Sequence, residues 1–310
     1  MKINVCSIGE AMIEISNINN SLYNQSFAGD TLNFCNYLDK KKLNAFFLSA
    51  IGKSEINKSL LDFVKSKKIS TKYIKQINQF EVGLYLIKNK INGEKQFYYW
   101  RNESAAKQYF NSIDFLNLYK ELKNFDYIYF SGITLSIIHI SKLNNFIELL
   151  ELLKSKKIKI VFDFNIRPSR WNKKNLNKFF DSVLKFVDIC FLSGEDMNYW
   201  KNKNNIKSYE QIVRKYKIKH SIFRKNAEIT YVFLNKIKHV FKNKLIKRVV
   251  DTSGAGDGFI PKHILKFIKK YICNLGIFSE YTMFNLIFPN YLLIRLDIVF
   301  VFPIIHIFPR

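Results

Sequence analysis

Asp251-Thr252-Ser253-Gly254-Ala255-Gly256-Asp257 follows two β-branched residues, Val249 and Val250, and opens a helix-like run at about Ala255. The order is strand, glycine turn, helix. Such a turn leaves backbone N–H groups unpaired at the positive end of a helix dipole, and phosphate oxygens bind readily there. Gly254 and Gly256 let a ligand approach the backbone with no Cβ in the way. Asp257 would repel a phosphate at this corner unless it had a chemical task. Taking the proton from a hydroxyl that attacks the phosphate is such a task. The alternative is an ordinary loop-to-helix turn, which a lone Gly-x-Gly would favour; the full seven-residue string is far more specific. No Gly-Lys-Ser/Thr follows, so this is not a Walker-type loop.

The rest of the chain supplies a scaffold for that corner. Ile3 to Ile8 is a short apolar run ending at Gly9, as in a strand buried on both faces. Residues 10–15 then alternate and leave the first sheet for a second layer. Phe27-Ala28-Gly29-Asp30-Thr31-Leu32-Asn33 leads into a helix reaching about Lys42, with Asp30 or Thr31 as its expected cap. A strand at 45–50 and a helix at 54–67 complete one βα unit. Residues 81–102 break the rhythm: two aromatic, β-branched runs flank Asn92-Gly93, a strong hairpin signal. That hairpin reads as part of a small lid, with Tyr99 and Arg101 on one face and Tyr98 and Trp100 on the other. From Asp126 onward, strands at 126–131, 158–162, 187–192, 221–223 and 229–233 alternate with helices, the last of these strands antiparallel to its neighbour. The expected fold class is α/β, a mostly parallel central sheet flanked by helices with a small β lid. Arg167, Glu195, Asp196 and Asp257 fall just past strand ends, where open α/β sheets bind ligands.

The formal charge of +25, from 50 basic and 25 acidic residues, invites a nucleic-acid reading. The excess is spread through nearly every segment, mostly as Lys, alongside much Asn, Ile, Phe and Tyr. Compositional drift explains that mixture better than a footprint does, since a footprint clusters on one face. No specific nucleic acid and no membrane is expected as a partner. Cys6, Cys35, Cys190 and Cys273 are far apart and read as reduced, buried thiols in a cytoplasmic protein. The histidines form no ligand pair, so no protein-held metal site is expected. The N-terminal segment carries no signal-peptide pattern.

The 251–257 string resembles the nucleotide-side signature of the ribokinase-like (PfkB) family of sugar kinases. That resemblance implies a ribokinase-like fold, ATP as phosphoryl donor, Asp257 as catalytic base, and the Gly254-Ala255-Gly256 amides as the anion hole. Further motifs sharpen it: Ala28 to Asn33, Gly83-Leu84-Tyr85, Tyr98-Tyr99-Trp100-Arg101-Asn102, and Asp163-Phe164-Asn165-Ile166-Arg167-Pro168. Together these are similar to the members of the family that phosphorylate 2-keto-3-deoxygluconate. The resemblance implies that Gly29, Asp30 and Asn33 hold sugar hydroxyls, that Tyr85 and Tyr99 flank the substrate, and that Arg101 and Arg167 meet its carboxylate and keto end. It places Asn165, Ser193, Arg224 and Lys225 on the nucleotide. Mg²⁺ is expected to be held by phosphate oxygens and water, with Asp196 an outer contributor. Lids of this kind often pair between subunits in the family, so a homo-oligomer is one implied form.

The chain departs from the pattern at three places. Arg224-Lys225-Asn226-Ala227 stands where the family carries Lys-x-Gly, and Arg170 stands where an apolar residue precedes Trp171. Pro261 follows the motif within a turn, and the strongly apolar stretch 283–308 has no family counterpart. Residues 1–260 therefore read as the kinase domain, with its lid strands around 10–28 and 81–102. Residues 261–310 read as a non-native tail produced by a shifted frame, or as a diverged working end. Kinases for fructose or ribose, and a sugar-binding protein without turnover, are the competing functional readings.

Overall fold

A computed structural model of the chain describes residues 2–18, 21–89, 95–226, 228–235 and 237–242. The hairpin tip Asn92-Gly93, Ala227, the 251–257 loop with Gly254, Ala255, Gly256 and Asp257, and the tail from 261 lie outside these residues. In chain order the strands are β1 (Ile3–Ile8), β2 (Met12–Asn17), β3 (Tyr23–Ala28), β4 (Leu43–Ile51), β5 (Ile69–Ser70), β6 (Ile74–Gln76) and β7 (Gly83–Asn89). They continue with β8 (Lys95–Trp100), β9 (Tyr127–Ser131), β10 (Lys159–Asp163), β11 (Ile189–Ser193), β12 (His220–Arg224), β13 (Ile229–Leu234) and β14 (Ile237–Lys242). The helices are α1 (Asp30–Tyr37), α2 (Glu55–Ser66), α3 (Ala105–Ser112), α4 (Phe115–Leu122), α5 (Gly132–Ile137), α6 (Ile140–Ser155), α7 (Lys173–Val183), α8 (Gly194–Lys201) and α9 (Ile206–Lys215).

Ten of these strands form one sheet in the order β14-β13-β12-β11-β10-β9-β1-β4-β5, with β6 on β4. Pairing is parallel from β12 to β5, and antiparallel from β12 to β13 and from β13 to β14. The final hairpin partner, β14, was not signalled by the sequence. Strand β9 is buried at all five positions and β10 at four of five, so these strands are sandwiched between layers. Their side chains feed two cores. One gathers Phe130, Phe162, Phe164, Phe180 and Trp200 beneath α5 to α9; the other packs α1 and α2 against β1 and β4. Phenylalanine rings of the first core meet edge-on at Phe130–Phe146 (5.1 Å) and Phe162–Phe180 (5.3 Å), while Tyr209 and Phe223 stack at 4.7 Å.

Strand order turns at β1. The chain passes from β1 through the lid to β4 on one side, and later returns as β9 on the other. A crevice at such a turning point is where open sheets take ligands. The lid is a separate four-stranded sheet, β3-β2-β7-β8, and both sequence expectations about it hold: 10–15 leaves the main sheet, and 83–100 is a hairpin. Its last strand is exposed at five of six positions.

The expected cap of α1 is corrected. Gly29, not Asp30 or Thr31, holds the cap position, with φ 135° and no side-chain capping bond. A Cβ at Gly29 would collide with the Glu10 carbonyl oxygen, so the lid's return strand crosses the end of β1 only through a glycine. Asp30 is thereby the first helical residue, and its carboxylate is free for work across the sheet. Cys6, Cys35 and Cys190 are buried free thiols, as expected. Burial pushes the Cys35 and Cys190 thiols up to about 12, so neither is ionised near neutrality. Cys273 lies outside the described residues.

Candidate active site

The polar residues past the strand ends converge on Asp30. One carboxylate oxygen accepts from the Thr31 backbone N–H at 2.9 Å. The other accepts from the Ser131 hydroxyl at the end of β9 and from the Asn165 amide at 3.0 Å, two residues past β10. Ser131 is also the cap of α5: its hydroxyl accepts from Thr134 N at 3.2 Å, and Thr134 Oγ1 reaches back to the Ile8 carbonyl at 2.8 Å. Three distant segments, 28–33, 131–134 and 163–167, thus share one polar floor at the turning point of the sheet. The Asn33 N–H to Gly29 carbonyl bond of 2.7 Å is the first backbone bond of α1. Asn165 has its backbone at φ 30°, a conformation Asn tolerates. Ser131 was missed in the sequence. Its signal was the same as that of Ser193, a polar residue closing an apolar strand before glycine.

The lid meets this floor at its root. Arg101, one residue past β8, is 7% exposed and forms an ion pair with Glu10, which is 2% exposed and lies two residues past β1. A guanidinium at the root of an aromatic hairpin is therefore neither solvated nor idle. Gly83, which begins β7, lies where a Cβ would press on Glu10 and Arg101. Among the described residues, Arg101 Nε and Glu10 Oε1 are buried without a hydrogen-bond partner. Glu10 was not singled out in the sequence either. Tyr85 donates its hydroxyl to Glu14 across the lid, and its ring lies 5.9 Å from that of Tyr99, which is 51% exposed.

Arg167 is exposed at the start of the 3₁₀ turn Pro168–Arg170. Arg170, flagged in the sequence only as a departure, is half-buried and donates from Nε to the Ser136 hydroxyl at 3.0 Å. Burial holds its guanidinium below the usual arginine range, and the neighbouring positive charge of Arg101 acts in the same direction.

Farther along the sheet, Ser193 and Arg224 are register partners at the ends of β11 and β12. Ser193 caps α8 and shares a capping box with Asp196, donating from its hydroxyl at 2.7 Å. The other Asp196 oxygen accepts from Ile166 N at 2.7 Å. Burial pushes this carboxyl up, against the bonds from Ser193 and Ile166 that favour its charged form. With both oxygens so engaged, Asp196 braces the turn that carries Asn165 and Arg167. The unusual Arg224-Lys225-Asn226 turn is closed by Asn226, whose amide oxygen accepts from Glu228 N at 3.1 Å and Ile229 N at 2.8 Å. An Asx turn thus does the work for which the family pattern employs glycine. Lys225 bonds Ile229 through its backbone N–H at 3.0 Å.

Comparison with known proteins gives the family. Residues 2–261 match the model of the pfkB family carbohydrate kinases. The chain is 34% identical over 264 residues to 2-dehydro-3-deoxygluconokinase of Haemophilus influenzae, covering 82% of this chain and 83% of the relative. It is 30% identical to the Escherichia coli K12 protein of the same name, covering 82% and 85%. Among solved structures, 2-dehydro-3-deoxygluconokinase from Thermotoga maritima superposes with a TM-score of 0.75 at 21% identity, over 86% of this chain and 88% of that one. Among the described residues no helix is long and apolar enough to cross a membrane.

Proposed function

The chain belongs to the pfkB family of carbohydrate kinases, and from that membership we propose that it phosphorylates 2-dehydro-3-deoxygluconate (2-keto-3-deoxygluconate) at its 6-hydroxyl with ATP. The observation that carries the reading is the Asp30 carboxylate held by Ser131 and Asn165 where the strand order turns. A carboxylate fixed by two side-chain donors keeps lone pairs for sugar hydroxyls and does not swing away. Gly29 and Asn33 complete this floor, while Tyr85 and Tyr99 wall it from the lid.

A sugar acid carries a charge that fructose and ribose lack. Arg101 at the lid root answers that charge: its guanidinium is buried, only partly bonded, and fixed by Glu10. A charge-assisted bond in so dry a position is among the stronger polar contacts. Arg167 stands at the strand end between this floor and the Ser193, Arg224 and Lys225 side, where the nucleotide is proposed to lie.

In the proposed reaction Asp257 accepts the proton of the 6-hydroxyl as the oxygen forms its bond to the γ-phosphorus. The bond to the β-bridging oxygen breaks, ADP leaves, and the Gly254-Ala255-Gly256 amides hold the equatorial oxygens. Mg²⁺, held by phosphate oxygens and water with Asp196 an outer contributor, would offset the phosphate charge. A coupled assay of ADP release with 2-dehydro-3-deoxygluconate, fructose and ribose tests the reading. The sugar acid should be preferred by at least about tenfold in kcat/KM, the effect of one polar contact. Asp257→Asn should lower kcat about 10²-fold or more. Equal rates for acid and neutral sugars would remove the substrate assignment, and an unaltered Asp257→Asn would remove the base.

A further inference from the structure

The chain enters the lid at 77–82, between β6 and β7, and leaves it at 101–104, between β8 and α3. Glu81 joins the two crossings, its carbonyl oxygen accepting from the Ala105 N–H at 2.8 Å. Its side chain reaches the body at the N-terminus of α2. Ser54 holds the cap position of that helix but makes no side-chain capping bond; its hydroxyl donates to the Glu81 carboxylate at 2.7 Å. Asn57, fully buried in the first turn, donates its amide to the same carboxylate oxygen and to Ser54 Oγ at 2.7 Å. The Asn57 amide oxygen accepts from the Gly52 N–H, just past β4, at 2.8 Å. A Cβ at Gly52 would collide with the Phe80 carbonyl and the Glu81 carboxylate, so this approach needs glycine. Glu81 thus brings a carboxylate from the lid's entry segment to a helix start, where the dipole favours negative charge. The same helix meets the lid again through Phe63, whose ring lies 5.6 Å from that of Phe27 in β3.

We infer that Glu81 is a positioning residue of the lid: its carboxylate, held by Ser54 and Asn57 at the start of α2, fixes the root of β7 and so the place of Tyr85 beside the sugar. The effect on sugar binding rests on the proposed function; the anchoring of the lid does not. Gly83 begins β7 two residues after Glu81, and Tyr85 follows two residues later, so little chain separates the anchor from the wall it sets. A lid held near its working position has less freedom to lose when sugar binds. The wall stands beside bound substrate and transition state alike, and such uniform binding appears in KM and not in kcat.

The test separates anchoring of the lid from simple capping of α2. Wild type, Glu81→Ala, Glu81→Gln and the double variant Glu81→Ala with Ser54→Asp are compared in the full chain. Each is measured for melting temperature, for amide exchange in β7 and β8 against β1 and β9 without ligand, and for kcat and KM. Glu81→Ala should speed exchange in β7 about tenfold and raise KM for 2-dehydro-3-deoxygluconate about tenfold, the effect of one charge-assisted bond. Its kcat and its KM for ATP should stay within about twofold. Ser54→Asp gives α2 a capping carboxylate of its own, with no tie to the lid. The double variant should therefore regain the wild-type melting temperature while keeping the fast exchange and the raised sugar KM.

Wild-type exchange in β7 and wild-type KM in a folded Glu81→Ala overturn the anchor and leave the kinase reading standing. A double variant that regains exchange and sugar KM along with melting temperature assigns Glu81 to helix capping alone and also overturns it. Equal rises in KM for sugar and ATP do the same. A wild type that does not phosphorylate the sugar acid removes the substrate reading, and exchange in β7 still decides the anchor. Should Glu81→Ala fail to fold, Glu81→Gln, which keeps an acceptor without the charge, decides: faster exchange confined to the lid supports the anchor, and wild-type exchange overturns it.

Discussion

The central body and the lid are both rich in aromatic residues and use them in opposite ways. In the body, Phe130, Phe162, Phe164 and Phe180 are fully buried and meet one another's edges beneath the helices. In the lid, Phe97, Tyr98, Tyr99 and Trp100 lie between 39% and 59% exposed. The body is held by its own apolar mass. The lid is held mainly at its root, by a glycine crossing under Glu10, by the Glu10–Arg101 pair and by Gly83. Regions with few buried contacts open at lower free-energy cost than the core around them. The difference places stability in one sheet and ligand response in the other.

The widest expected effect sharpens this contrast directly. Phe162→Ala should cost about 3–5 kcal/mol of unfolding free energy in urea titrations, by lost transfer energy plus an unfilled cavity. Next is the lid root: Glu10→Gln leaves Arg101 buried without its counter-charge and should cost about 3 kcal/mol. Replacing Arg101 by Met in the Glu10→Gln background should recover part of that loss, so simple additivity of the two would break the account of the root. Tyr85→Phe removes the bond to Glu14 and should cost about 1 kcal/mol, read as faster amide exchange in β2 and β7 than in β1 and β9. Trp100→Ala should change global stability by no more than about 0.5 kcal/mol. A loss there comparable to that of Phe162→Ala would erase the distinction between the two sheets.

One titration belongs to the body alone. Burial raises the Asp196 carboxyl above its unfolded value, so the folded protein holds that proton more tightly than the unfolded chain. Its contribution to stability is full below the unfolded value of about 3.9 and is lost as pH rises through the raised folded value. Melting temperatures of wild type and Asp196→Asn across the acidic range should therefore diverge. Wild type should compare best at the lowest pH and progressively worse as the pH rises. A constant difference would show that the neighbouring bonds outweigh burial.

Much of the scaffold was legible in the chain. The short apolar runs ending at Gly9, Gly132 and Gly194 are strands of a parallel sheet, and the aromatic runs 83–89 and 95–100 are a hairpin. The lid at 10–28 was visible because alternation replaces the continuous apolar pattern of a strand buried on both faces. The site was legible in part. Asp30 and Arg101 were singled out, whereas their partners Ser131 and Glu10 were passed over, since a lone serine or glutamate at a strand end has no distinctive spacing. Asp30 was misread as a cap because capping preference is a local rule, and here a bond across the sheet claimed its carboxylate.

Composition, strand period and glycine placement determined the α/β body and the lid, because each depends on backbone geometry within a few residues. Only the tertiary structure decided which charges meet. Arg167 and Arg170 are three residues apart and chemically identical, yet one is exposed and the other is half-buried, bonded to Ser136 and within the field of Arg101 and Glu10. The energy of a charge depends on its solvent access and on its neighbours in space. Those neighbours come from positions 10, 101 and 136, brought together by the folding of three different segments.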